Sequence, residues 1–141
     1  MLYLRDHGKT AYSSLSLENA SVVLRTKEVF ALWSSNIVPH MPRTSRYTTG
    51  ARIETHLLDL LEIIYKAYYA SLENKNVLIV AAISKADLVK YFLQIAWENK
   101  LMKDKPYGEI SEKIQEVGRI LGGWKNNVAA KLSRAKQSPA G

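Results

Sequence analysis

The sequence predicts an all-α fold, an antiparallel up-down-up-down four-helix bundle. Three observations lead there. Apolar residues fill 47% of the 141 positions and charged residues 23%, a mixture that supports a core and argues against a disordered chain. Gly (7) and Pro (4) are scarce, and Pro39, Pro42 and Pro106 stand between long stretches rich in Ala, Leu, Ile, Glu and Lys, which favour helix. Within those stretches apolar residues recur at steps of three and four, with no strand alternation and no internal repeat. The length fits one domain: an irregular leader over 1–16, the bundle over 17–133 and a disordered basic tail over 134–141.

In the leader, Gly8, Ser13, Ser14 and Ser16 break any periodicity. The first helix is expected from about Leu17 to Ile37. Val22, Val29, Trp33 and Ile37 share one face, Val23 and Phe30 widen it, and Pro39 and Pro42 end it. Thr44 or Ser45 caps the second helix, which runs to about Leu72. Its stripe is Ile53, Leu57, Leu60, Leu61, Ile64 and Tyr68. Leu58, Tyr65 and Tyr69 broaden it beyond the needs of one seam, leaving surface for a neighbouring subunit. Arg52, His56, Asp59 and Lys66 line the opposite side.

Glu73 to Asn76 read as a polar connection, followed by a third helix from about Val77 to Met102 with the stripe Leu78, Ala81, Leu88, Phe92 and Ile95. Lys85 falls on that same side, so it must snorkel or face a wet cavity. Asp104 to Gly108 read as a turn. The fourth helix, capped by Gly108 or Ser111, reaches about Leu132. Its Ile110, Ile114, Val117, Leu121, Trp124 and Val128 alternate steps of four and three, a heptad seam. Trp124 on that seam reads as structural, and truncation to Ala is expected to cost about 3–5 kcal/mol. Gly118 and Gly122 lie one turn apart inside this helix, each at a cost of about 1 kcal/mol relative to alanine. Either the close approach of another helix or a frayed or kinked helix would account for them.

Several chemistries are excluded or poorly supported. Without Cys there are no disulfides, thiolate metal sites or cysteine catalysis, and a reducing cytoplasm is the natural setting. No signal peptide is visible, and the longest apolar run, Val77 to Ile83, is far short of the roughly 20 residues of a membrane span. His7, His40 and His56 lie in different segments, and Glu54 and His56 are turned about 200° apart on a helix, so no metal site is expected. Helical nucleases of the HEPN type place four to six residues between an Arg and a His. Arg52 and His56 have three between them and Arg46 and His56 nine, so that pattern fails. The glycines of 118–123 lie inside a heptad and lack the Lys-Ser or Lys-Thr of a phosphate loop. No cofactor is expected. Trp33 and Trp124 read as core, while Tyr3, Tyr12 and Tyr107 lie outside the helices, where base stacking is one use and plain exposure the commoner one.

The remaining signal is charge. The formal net charge is +7, which favours anionic partners. Residues 46–104 are nearly balanced, with eight basic and seven acidic, whereas Arg119, Lys125, Lys131, Arg134 and Lys136 are followed and accompanied by no acid at all.

The segment Gln115-Glu-Val-Gly-Arg-Ile-Leu-Gly-Gly-Trp124 resembles the fourth-helix signature of Avd, the accessory variability determinant of diversity-generating retroelements. Pro42-Arg-Thr-Ser-Arg-Tyr-Thr-Thr-Gly-Ala-Arg-Ile-Glu54 is similar to the basic start of that family's second helix, and Lys85-Ala-Asp-Leu-Val-Lys-Tyr91 to part of its third. The resemblance covers roughly 20–132, and the leader matches none of it. It implies a bundle assembled as a homopentameric barrel, with no catalytic residue, that binds a reverse transcriptase and nucleic acid, RNA and DNA, in mutagenic retrohoming. On this reading Arg46, Arg52, Lys85, Arg119, Lys125, Lys131 and Arg134 are the candidate binding residues, Arg119 foremost because it points away from the core inside the motif. The alternative is a free-standing nucleic-acid-binding bundle of the type encoded in 23S ribosomal RNA intervening sequences. That family carries Asn-Ile-x-Glu-Gly on its second helix, a motif that Asn36-Ile37-Val38-Pro39 begins and Pro39 breaks. A degenerate helical nuclease is the third reading.

Overall fold

A computed structural model describes residues 20–137. The leader 1–16 with His7, Tyr3 and Tyr12, residues 17–19 of the expected first helix, and residues 138–141 of the tail lie outside the described residues.

Ala20 is extended (φ −68°, ψ 133°), so helix α1 begins at Ser21, later than its expected start near Leu17, and runs to Ala31. It continues as a π-helical stretch, Leu32–Ile37, and a 3-10 turn, Val38–His40. Pro42 is extended and starts the return: one helical turn, Arg43–Ser45, a second π-helical stretch, Arg46–Gly50, and then α2, Ala51–Tyr69. Pro39 is accommodated in the 3-10 turn, the run ends at extended Met41, whose helical conformation the following Pro42 disfavours, and Pro42 stands at the cap of the next helical turn, where no N–H is needed.

The polar connection expected over Glu73–Asn76 is instead the first turn of α3, Leu72–Glu98. Extended Ala70 stops α2, and Ser71 caps α3, its hydroxyl accepting from the Asn74 N–H at 3.5 Å. Likewise the turn expected over Asp104–Gly108 is the start of α4, Asp104–Gln137. Pro106 belongs to its first turn, where the missing N–H costs nothing. Residues 134–137, expected in the disordered tail, are its last turn: Ala129, Ala130, Lys131, Leu132, Ala135 and Lys136 are good helix formers with no breaker among them.

Packing runs round a ring, α1 on α2, α2 on α3, α3 on α4 and α4 back on α1. The core takes Val22, Val29, Trp33 and Ile37 from α1 and its continuation, Ile53, Leu57, Leu60 and Ile64 from α2, and Ile110, Ile114, Val117 and Leu121 from α4, as the periodicity predicts. Thr26, the buried polar side chain, returns its hydroxyl to the Val22 carbonyl at 2.6 Å.

Helix α3 departs from expectation by one residue. It buries Ile79, Ala82, Ala86, Val89, Leu93 and Ala96. The expected Leu78, Leu88, Phe92 and Ile95 are half-buried on the rim, and Ala81 is exposed. Apolar residues surround most of this helix, so periodicity alone admits two seams. The alanine line wins because small side chains let neighbouring backbones approach closely. That rotation also places Lys85 on the rim beside α2 instead of in the core.

Candidate nucleic-acid interface

The far half of α4 carries the basic residues that the sequence singles out. Lys125, Lys131 and Arg134 are exposed and make no ion pair among the described residues. Arg119 is exposed too, but its guanidinium grips Glu116 one turn back, with Nε 3.1 Å from Oε1 and Nη2 closer still. A carboxylate upstream of the acid-free run therefore offsets the residue expected to lead the site.

The structure adds Lys75, which lies in the stretch expected to be a loop. Its ammonium donates to the Tyr68 carbonyl at 2.9 Å and stands 5.7 Å from the centre of the Trp124 ring and 5.9 Å from that of Tyr68. Burial, and then the charge of Lys131, hold its pKa below the usual lysine value. Trp124 is half-buried, set between the main core and a smaller cluster of Ala67, Ile79 and Val128, so it packs and also faces a cation. Its expected cost on truncation falls toward the lower end accordingly, since less of its surface leaves water.

The glycines of α4 do not mark a close helix approach, and the helix there is neither frayed nor kinked into separate pieces. A Cβ added at Gly118, Gly122 or Gly123 would meet nothing within 4 Å. They leave a strip of bare helix backbone open next to Arg119 and Lys125.

The other candidates sit elsewhere. Arg46 is spent inside the fold, its Nε donating to the Met41 carbonyl at 3.0 Å and its Nη2 to the Pro39 carbonyl at 2.9 Å. Arg52 is exposed, its guanidinium 5.9 Å from the centre of the Phe92 ring. Lys85 faces His56 and Asp59 of α2, 3.1 Å from His56 Nδ1 and 3.6 Å from Asp59 Oδ2. Lysine can only donate, so Nδ1 is the acceptor and the imidazole hydrogen belongs on Nε2. That Nε2 is sealed from solvent and has no hydrogen-bond partner among the described residues. Burial first, then Lys85 and Arg52, push the His56 pKa below 6.5, with Asp59 opposing. A neutral histidine with its outer nitrogen sealed is poorly placed for the acid–base work of a nuclease. The seven candidates thus divide among α4, the α2–α3 face and the α1–α2 turn, with Arg46 and Lys85 already engaged inside the fold.

Among the described residues no group of His, Asp and Glu is placed to hold a metal, and no helix is long and apolar enough to cross a membrane. A family model described as bAvd-like matches residues 21–128, the whole of α1 to α3 and most of α4. No curated protein and no solved structure matches the chain.

Proposed function

Because the chain belongs to the bAvd-like family, we propose that it is a non-catalytic accessory subunit of a diversity-generating retroelement, binding the reverse transcriptase and the template RNA and its cDNA. The family match carries this reading, and the free cations Lys125, Lys131 and Arg134 support its nucleic-acid half. Phosphates are met by flexible ammonium and guanidinium groups that no internal acid neutralises, and such contacts hold a polymer without reading its sequence.

The subunits assemble as a homopentameric barrel in the cytoplasm, each an antiparallel bundle; the number five follows from the family resemblance and the compartment from the absence of Cys. Two observations support the antiparallel bundle and the association of subunits. Along α2 and α3 the paired residues run in opposite order, Arg52 with Phe92 and Asp59 with Lys85. Leu58, Tyr65, Val77, Val80 and Tyr91 are exposed on those same helices, apolar side chains that a neighbouring subunit could cover. The test is co-purification with the reverse transcriptase of the same element, light scattering of the free protein, and cDNA synthesis with and without it. A monomer that binds neither the polymerase nor nucleic acid, and leaves cDNA synthesis unchanged, would end this reading.

A further inference from the structure

We propose a second nucleic-acid site at the other end of the bundle, where single-stranded RNA or DNA lays phosphates on Lys100, Lys103 and Lys105 and a base against Trp97. The proposal rests on the reading that the chain binds nucleic acid. It concerns the end where the α1–α2 and α3–α4 connections meet, about 40 Å along α3 from Lys75 and the α4 cations.

Two hollows adjoin there. One, of about 480 Å³, lies between the two connections, with His40, Met41 and Pro42 on one side and Lys100 and Lys103 on the other. The second, of about 550 Å³, is bounded by Trp97, Asp104 and Lys105 and shares Lys100 and Lys103 with the first. The three lysines and Arg43 are exposed and make no ion pair among the described residues. Two acids lie nearby and keep their charge, Asp104 accepting from the Trp97 indole at 2.8 Å and Glu98 from Gln94 at 3.0 Å, and the three lysines and Arg43 outnumber them.

The backbone supplies an independent observation. Lys100 has φ 62°, the left-handed conformation, and closes α3 by donating its N–H to the Trp97 carbonyl at 2.9 Å, while Leu101 donates to the Ala96 carbonyl at 2.9 Å. Glycine is the usual residue at this position of a helix end, because a side chain is strained there. Here the strained position carries a free cation that lines both hollows.

The aromatic partner is fixed in advance. Trp97 stacks on Tyr107 with ring centres 4.6 Å apart and planes 6° from parallel, and Asp104 holds its indole edge. More than a third of its surface is still open, at 36% exposure. A base can extend such a stack only if it is free of a duplex, which selects single strands.

The test uses the full chain and fluorescence anisotropy with labelled oligo-dT and oligo-U and with a duplex of the same length, over a salt series. Lys100→Gly should weaken single-strand binding and lower the salt slope by about 0.7. The same change should raise the melting temperature, because glycine accepts the left-handed backbone. A purely structural lysine would not separate the two readouts in this way. Lys100→Gly with Lys103→Ala and Lys105→Ala should lower the slope by about 2. Trp97→Leu should weaken single strands by about five-fold or more and the duplex much less. Wild-type affinity and slope in the triple variant overturn the site, and if a variant lacking the α4 cations has lost binding at the same time, the accessory-subunit reading still stands. Equal losses on single strands and duplex overturn the single-strand assignment. Loss of reverse-transcriptase binding with oligonucleotide binding intact makes this end a protein surface and overturns the proposal. A wild-type chain that binds no nucleic acid at all overturns both.

Discussion

The buried indole N–H of Trp33 donates to the carbonyl of Gly50 at 3.0 Å, joining the π-helical end of the first helical run to the π-helical start of the second. A π stretch shifts the helical ladder by a residue and puts local donors and acceptors out of step. Trp33 supplies a donor from the facing stretch, in a place no water reaches. Trp33→Phe should therefore cost about 0.5–1.5 kcal/mol for the lost hydrogen bond, with the lost ring volume in addition. Urea denaturation monitored by circular dichroism measures it, and an unchanged midpoint would show that the junction does not depend on this bond.

Two glycine substitutions should act in opposite directions. A Cβ at Gly122 meets open space, so Gly122→Ala should stabilise the free chain by about 1 kcal/mol through helix propensity alone. A Cβ at Gly50 would stand 3.3 Å from the Ser45 carbonyl oxygen and 3.5 Å from Met41 Sδ, under the turn that Trp33 fastens. The backbone oxygen cannot swing aside as a side chain would, so Gly50→Ala should destabilise. Thermal melts of the two variants beside wild type give both signs. A lower melting temperature for Gly122→Ala would mean that the bare strip is already covered, as by a second copy.

Stability should fall as the solution is acidified through the histidine range. The folded His56 pKa lies below 6.5, so between that value and 6.5 the unfolded chain binds the proton more readily than the folded one. The contribution is fully present above 6.5 and is lost as pH drops toward the folded value. His56→Gln, which keeps an acceptor for Lys85 without titrating, should flatten that part of the stability curve. A variant curve that still falls in parallel with wild type would assign the effect to other groups.

What the sequence made legible follows from where periodicity has a single solution. Ile53, Leu57, Leu60 and Ile64 on α2 and Ile110, Ile114, Val117 and Leu121 on α4 recur at steps of three and four opposite charged residues, so their seams could be placed, and the structure buries all eight, while Leu61 and Tyr68 of the expected α2 stripe are half-buried. On α3 the seam could not be placed, because Leu78, Leu88, Phe92 and Ile95 form as regular a row as the alanine line beside them. The fourth-helix motif gave the family, since it fixes residue types that packing alone would not choose. Partner choice within the site was hidden. Arg46 meets carbonyls five and seven residues back, Lys85 meets a histidine on another helix, and Glu116 lies just before the acid-free run begins. The π-helical stretch Leu32–Ile37 and the left-handed Lys100 carry no proline or glycine to mark them, and Gly50 by itself does not tell a π stretch from an α-helix, so none of the three could be read.

Ion pairing on α4 predicts an order among its cations. Lys125, Lys131 and Arg134 are free to meet phosphate, whereas Arg119 must first release Glu116. An exposed pair of this kind is weak, about 0.2–1 kcal/mol, so Arg119 can still bind, but at a discount. Changing Lys125, Lys131 and Arg134 together to Gln should lower the salt slope of nucleic-acid binding by about 2–3, at roughly 0.7–0.9 per phosphate contact. Arg119→Gln alone should lower it by less than one contact, and Glu116→Gln should strengthen binding by unmasking Arg119. Glutamine is the better substitute than glutamate, since negative charge in the last turns of α4 would oppose the helix dipole and confuse lost binding with lost helix. The measurement is filter binding at several salt concentrations with circular dichroism of each variant. If the triple variant is folded and keeps the original slope, the end of α4 is a solvated surface, and the phosphate contacts lie elsewhere on the chain.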